Sequence, residues 1–310
     1  MEALQPYEQV HAVTMTPADL AKEWADSLDL KARTKEAYRK NLGYYLSWLL
    51  STGHKGTSRQ DILDYKEHLT SSYEASTVSA YLTAVRVFYS WASLAYGVPD
   101  IAAGIKGSKK PLGFRKDPLS IEQIKAILSG IDTEKPEGLR DYAMLSLMAH
   151  TGVRVIEVQR ADICDIRQVM GRSVLFVQGK GRDEKDSFVV LSSKVLRAIA
   201  SYILSRGERL DSEAPLFASA SDRNHGERMT TRSISRIVKS RFEAAGVSSE
   251  KLTAHSLRHS AVTLALVGGA SIQQAQSMAR HSNVNTTMIY AHNLDRMEHP
   301  AEDSLSRLLD

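Results

Sequence analysis

Helix-start signals recur along this chain, and they limit what it can fold into. Thr16-Pro17 joins an N-cap residue to a proline at the first helical position. Ser58-Arg-Gln-Asp61, Ser120-Ile-Glu-Gln123 and Ser271-Ile-Gln-Gln274 place a capping serine ahead of an acid or amide that reaches back to it. Apolar residues follow at helical spacing. Leu20 and Trp24 mark a first helix. Tyr38, Leu42, Tyr45 and Leu49 mark a second, from about Thr34 to Leu50, that Gly53 ends. Ile62, Tyr65 and Leu69 define a third, and Val78, Leu82, Val85 and Tyr89 a fourth that opens at Ser76 and closes near Gly97. Short loops between these helices predict a small helical bundle over residues 14–106.

Residues 107–116 break the pattern. Gly107, Pro111 and Gly113 interrupt regular structure, and Lys109, Lys110, Arg115 and Lys116 add to the charge of Lys106. The stretch reads as a basic linker between two domains. The net charge of the 310 residues is only +4, a weak pointer to a polyanionic partner. On the polar faces of the bundle, Arg33, Lys35, Arg39, Lys40, Lys66 and Arg86 are candidate nucleic-acid contacts together with Lys109 and Lys110 of the linker, although acids sit among the bundle residues and a solvated surface is the better explanation of any one of them.

Residues 117–310 predict a second domain, mostly helical with a small antiparallel sheet. A helix runs from Ser120 through Leu128, and Gly138 to Ala149 is apolar nearly all round, as in a buried helix that Gly152 ends. Arg154 follows at once, with Glu157 placed to pair with it. Ser173–Val177 and Ser187–Leu191 have strand character, and the hairpin between them carries Gly179-Lys180-Gly181. Helical segments follow at about Val195–Arg206 and Thr231–Ala245. Thr253 caps a helix with Leu257, Ala261, Leu264 and Ala265 as its inward stripe and His255, Arg258 and His259 on the opposite side. The helix opened by Ser271 ends near Arg280, His281 closes it, and Thr286–His292 forms a short helix displaying Tyr290.

Converging arginines, a lysine and histidines favour a phosphate. Arginine offers a planar fork matched to two phosphate oxygens. Donors preorganised around a phosphodiester stabilise the charge of its five-coordinate state, one being worth about 3–4 kcal/mol. Tyrosine, with a pKa of about 10, needs a proton acceptor to attack. His255 is the candidate base, Lys180 the candidate acid for the leaving oxygen, and His281 a donor to a nonbridging oxygen. His255 and His259 have the spacing of a zinc pair but lack the glutamate of His-Glu-x-x-His. No metal and no cofactor is expected.

Thr151-Gly-Val-Arg154, Gly179-Lys-Gly181, His255-Ser-Leu-Arg-His259, Ala279-Arg-His281 and Thr286-Thr-Met-Ile-Tyr290-Ala-His292, in this order, closely resemble the tyrosine recombinase (phage integrase) family. The resemblance implies a helical, SAM-like core DNA-binding domain, a mixed catalytic domain, and a clamp on duplex DNA. It implies Arg154, Lys180, His255, Arg258, His281 and the nucleophile Tyr290 as the catalytic set. It further implies cleavage of one strand through a 3′-phosphotyrosine, exchange through a Holliday junction, and a homo-tetramer on two sites that is a monomer or dimer when free. Lys180 is preferred to Lys185 because its glycine context matches. The chain departs from the family where Leu-Gly-His is usual (Ala279-Arg280-His281), where proline is common (Ala254), and where Asp183, Glu184 and Asp186 enter the lysine hairpin. The short leader predicts an Xer-like layout without an arm-binding domain. A tail helix over Pro300–Leu309, with Leu305, Leu308 and Leu309 on one face, is expected to dock on a neighbouring protomer or fold back.

The lone Cys164 excludes an intrachain disulfide and fits a reducing cytoplasm. No signal peptide is read in residues 1–15, and no apolar run approaches the ~18 residues that span a bilayer. Two other classes compete: a catalytically silent DNA binder of the same fold, and a type IB topoisomerase.

Overall fold

A computed structural model describes residues 16–108, 118–179, 181–247, 249, 252–298, 306 and 309. The chain divides into two compact units, Met1–Leu112 and Gly113–Asp310.

The first unit is a helical bundle of α1 (Pro17–Ser27), α2 (Ala32–Thr52), α3 (Arg59–Ser72) and α4 (Ala75–Tyr96). Thr16 caps α1, its hydroxyl accepting the Asp19 N–H at 3.2 Å. Ser58 and Asp61 form the reciprocal box at α3. Gly53 and Gly97 close α2 and α4 in the left-handed conformation. The fourth helix starts one residue before Ser76, with Glu74 as its N-cap and no side-chain cap bond. The core is aromatic. Trp24 is fully buried and meets Phe88 edge-on at 5.7 Å and Tyr38 in a stack at 6.2 Å.

The second unit holds α5 (Ile121–Ser129), α6 (Pro136–Thr151), α7 (Val155–Arg160) and a 3₁₀ turn at Ile163–Asp165, then β1 (Ile166–Val169), β2 (Arg172–Val177) and β3 (Ser187–Val190). Helices α8 (Ser193–Ser205), α9 (Thr231–Ala244), α10 (Ala254–Val267), α11 (Ile272–Ala279) and α12 (Asn285–Glu298) follow. The sheet is antiparallel in the order β1-β2-β3. Together these elements make the fold mainly α with a small antiparallel sheet.

The sequence reading missed β1. Its turn is Met170-Gly171, with φ of 49° and 72°, the positive pair that a two-residue hairpin needs. Methionine is a poor signal for that backbone, which hides the turn in the sequence. The helix bearing Tyr290 is also longer than expected, reaching Glu298. Of the tail expected over 300–309, only Ser306 and Leu309 are described, both helical; the rest, Leu305 and Leu308 included, lies outside the described residues.

Helix α10 is the hub of the second unit. It packs on α6, α9, α11 and α12. Packing on so many sides corrects the expected orientation of its residues. Leu257 and Ala261 are buried as read, but Arg258, placed on the outer side, is only 3% exposed, while Leu264 and Ala265 are half-buried. Ser260 ties α10 to the start of the unit, its hydroxyl accepting the Leu119 N–H at 2.7 Å.

Candidate active site

Helix α6 ends at Gly152, whose φ of +62° turns the chain sharply. A Cβ there would sit 3.4 Å from the Ala261 Cβ and 3.7 Å from the Arg258 Cγ, so the turn lies directly on α10. Two residues on, Arg154 is the N-cap of α7. Glu157 holds it at both ends. One carboxylate oxygen accepts the Arg154 backbone N–H at 2.7 Å and the other accepts its Nη1 at 2.8 Å. Glu157 is 1% exposed. Burial alone would raise its carboxyl, but Arg280 and the N–H donors of Arg154 and Arg280 outweigh that and hold it below the usual range.

Arg258 reaches inward from α10. Its Nη1 donates to the Gly152 carbonyl at 2.5 Å and its Nη2 to the Ala279 carbonyl. Burial, with Arg154 and Arg280 nearby, lowers its pKa to about 10, which still leaves it charged at neutral pH. A guanidinium has more N–H groups than these bonds use, so Arg154 and Arg258 retain donors for an anion.

The end of α11 completes the cluster. Arg280 adopts φ +54°, a conformation that costs a non-glycine residue about 1–2 kcal/mol. Its Nη2 pairs with Glu157 at 2.6 Å, and its carbonyl accepts Arg154 Nη2 at 3.4 Å. His281 follows, its Nδ1 2.9 Å from the Thr287 hydroxyl. Burial first, then the charges of Arg258, Arg154 and Arg280, push its pKa down to about 4, so the ring is neutral at physiological pH.

Tyr290, 5% exposed, packs from α12 against Val262, Ala275 and Ala279. Its hydroxyl is 2.6 Å from His259 Nδ1, and its ring lies nearly parallel to that of His281 with centroids 6.5 Å apart. Burial raises the phenol to about 12, with Arg258 pulling the other way. His255 sits one turn before His259, exposed, with ring centroids 4.8 Å apart.

Arg154, Arg258, His281 and Tyr290 are thus gathered where α6, α10, α11 and α12 meet. His255, expected to act as base, is at the edge of this cluster, and the histidine on the phenol is His259. Sequence reasoning gave His259 no catalytic part. Its spacing from His255 suggests a zinc pair rather than a base, and only the fold shows that it faces Tyr290. Among the described residues no group of three or more His, Cys, Asp or Glu could hold a metal.

Lys180 lies outside the described residues, but its hairpin base is anchored. Arg160 Nη1 donates to the Gly179 carbonyl at 3.1 Å. Lys185, the alternative lysine, is engaged elsewhere: its Nζ pairs with Asp162 at 2.7 Å and Asp165 at 2.5 Å. Burial would lower its pKa, but these two carboxylates more than compensate and raise it.

The basic residues singled out in the bundle belong to the other compact unit. Arg33, Arg39 and Lys40 are exposed and Lys35, Lys66 and Arg86 half-buried. Arg39 pairs with Glu36, Lys35 donates to the Asp26 carbonyl, and Arg86 donates to the Ile105 carbonyl and the Thr83 hydroxyl. Lys109 and Lys110 lie outside the described residues. Among the described residues no helix is long and apolar enough to cross a membrane.

Residues 118–297 match the phage integrase family, and the chain belongs to it. It is an enzyme of the tyrosine recombinase class. The tyrosine recombinase XerD of Bifidobacterium longum is 31% identical over 275 residues, covering 85% of this chain and 87% of the relative. XerD of Staphylococcus epidermidis is 30% identical over 268 residues, covering 85% and 88%. In fold, the chain resembles the XerH site-specific recombinase bound to palindromic difH substrate in a post-cleavage complex, with a TM-score of 0.73 at 18% identity over 94% of this chain and 86% of that one.

The low pKa of His281 carries a stability prediction. An unfolded histidine takes up its proton near pH 6.5, whereas the folded ring resists until about pH 4. The unfolded state therefore binds more protons between these values, and the stability present above pH 6.5 drains away as pH falls through the window. Thermal melts from pH 7 to pH 4 are expected to fall less steeply for His281→Gln than for the wild type. Parallel curves would show that His281 is not held neutral.

Proposed function

We propose that this chain is a site-specific DNA recombinase that cuts one strand at a time with Tyr290 as nucleophile. The phenol proton passes to the His259–His255 pair, and the phenolate oxygen bonds to phosphorus. The bond to the 5′-oxygen breaks, and Lys180 protonates that leaving oxygen. Arg154, Arg258 and His281 donate to the nonbridging oxygens as charge builds there. The product is a 3′-phosphotyrosine and a free 5′-hydroxyl. Because the ester stores the bond energy, the reverse attack by a 5′-hydroxyl of a second duplex rejoins the strand without ATP or metal. Strand exchange through a Holliday junction, by a homo-tetramer on two sites, follows from the family resemblance.

The observation that carries the reading is the buried Tyr290 hydroxyl beside His259, in the same cluster as the two guanidinium groups. The test is covalent capture on sheared, nicked genomic DNA from the encoding organism, stopped with detergent. Covalent adducts are expected at a defined sequence, with protein on the 3′ end. No adduct on any fragment would identify a silent DNA binder. Adducts at random sequence, with plasmid relaxation and no pairing of sites, would identify a topoisomerase.

A further inference from the structure

Among the described residues only Met170 and Arg280 combine a side chain with a positive φ. Met170 is fully exposed in a hairpin turn that requires such backbone. Arg280 instead sits between α11 and His281, where glycine would make the same turn without strain. Its Nε–H is buried with no partner among the described residues. A strained backbone and an orphaned donor in one residue persist only where the surroundings over-determine them.

The surroundings that hold it are the cleavage machinery. Arg280 Nη2 takes one oxygen of Glu157 at 2.6 Å while Arg154 Nη1 takes the other at 2.8 Å. In return, Arg154 Nη2 donates to the Arg280 carbonyl at 3.4 Å. The start of α7 and the end of α11 are therefore bridged in both directions. Arg154 alone already holds both oxygens, one through its backbone N–H and one through Nη1, but both of those donors belong to α7. Arg280 adds a charged donor from α11 to the first oxygen, so the carboxylate that orients Arg154 is also fixed against the His281 turn.

We propose that Arg280 is a positioning residue for strand cleavage: it locks Glu157, and through it Arg154, and adds a cation beside His281. The inference rests on the reading of Arg154 and Tyr290 given above. It also gives the strained backbone a role, since the guanidinium lies within reach of Glu157 from this turn.

Arg280→Gly is the informative variant. It deletes the guanidinium, keeps the carbonyl that Arg154 uses, and relaxes the left-handed turn. That relaxation offsets part of the cost of losing the Glu157 pair and the bond to the Met278 carbonyl, so rates are compared at a temperature where melts show both proteins fully folded. The DNA is the fragment captured from the wild type, rebuilt as a nicked duplex. Single-turnover adduct formation is expected to fall about 10- to 100-fold, with DNA affinity at fixed salt nearly unchanged. Arg280→Lys should restore part of the rate. His281 is faced by Arg258 and His259 from α10, Arg154 at the start of α7, Gln276 from α11, Thr287 and Tyr290 from α12, and Arg280 itself. Removing one of these cations lets its ring protonate more easily, so the pH at which the His281 ring titrates, read by NMR, should move up.

A wild-type rate in Arg280→Gly, or a His281 ring that titrates where the wild type does, would overturn the proposal. So would a rate loss that vanishes when both proteins are compared fully folded, or one matched by a fall in affinity, because the residue would then be structural or a DNA contact. Absence of any adduct with the wild-type protein would instead reject the recombinase reading itself.

Discussion

Tyr290→Phe is expected to abolish the covalent protein–DNA adduct, a fall of at least about 10⁴-fold, while the variant still binds the captured DNA. The substitution removes one oxygen and keeps the ring that packs against Val262, Ala275 and Ala279. The fold should lose the hydrogen bond to His259, about 1 kcal/mol. The chemical loss is far larger because phenylalanine carries no oxygen to attack phosphorus. A labelled, nicked duplex resolved on a denaturing gel reads the adduct directly, and a mobility shift reads binding. A persistent adduct in the variant would move the nucleophile elsewhere and undo the proposed mechanism.

Arg258→Ala is expected to slow cleavage by about 10²- to 10³-fold or more, as loss of one preorganised donor to a developing oxyanion does elsewhere. The variant must also bear a structural cost. The carbonyls of Gly152 and Ala279 lose their donor, at about 1–3 kcal/mol each, offset in part because a desolvated charge disappears with the side chain. Rates should therefore be compared at a temperature where melts show both proteins fully folded. Arg258→Lys should recover little, since an ammonium cannot span both carbonyls and a phosphate oxygen with a planar fork. Cleavage by folded Arg258→Ala within tenfold of wild type would show that this guanidinium only braces the α6 and α11 turns.

The helices were legible because their signals are local. Ser58, Ser120 and Ser271 open helices through capping boxes, and Gly53, Gly97 and Gly152 close others in the left-handed conformation. Pairing of Arg154 with Glu157 was also readable, at three residues' separation within one turn. What failed was long-range. Arg258 was placed on an outer face because periodicity assigns one inside to a helix, and α10 has neighbours on several sides. The bond from Arg280 to Glu157 joins residues 123 apart. The sequence marks Arg280 as unusual, but nothing local says what it reaches. The contact of His259 with Tyr290 belongs to the same kind, set by how α12 docks rather than by either segment alone.

The depth at which Tyr290 is stored has a consequence for the enzyme before DNA arrives. A phenol 5% exposed, with its pKa near 12 and its hydroxyl engaged by a neighbouring imidazole, is chemically quiet. It offers almost no phenolate at neutral pH to stray electrophiles or to passing phosphodiesters that do not fill the cationic cluster. On the proposed mechanism, reactivity is therefore conferred by the seated phosphodiester, and random nicking of DNA is suppressed.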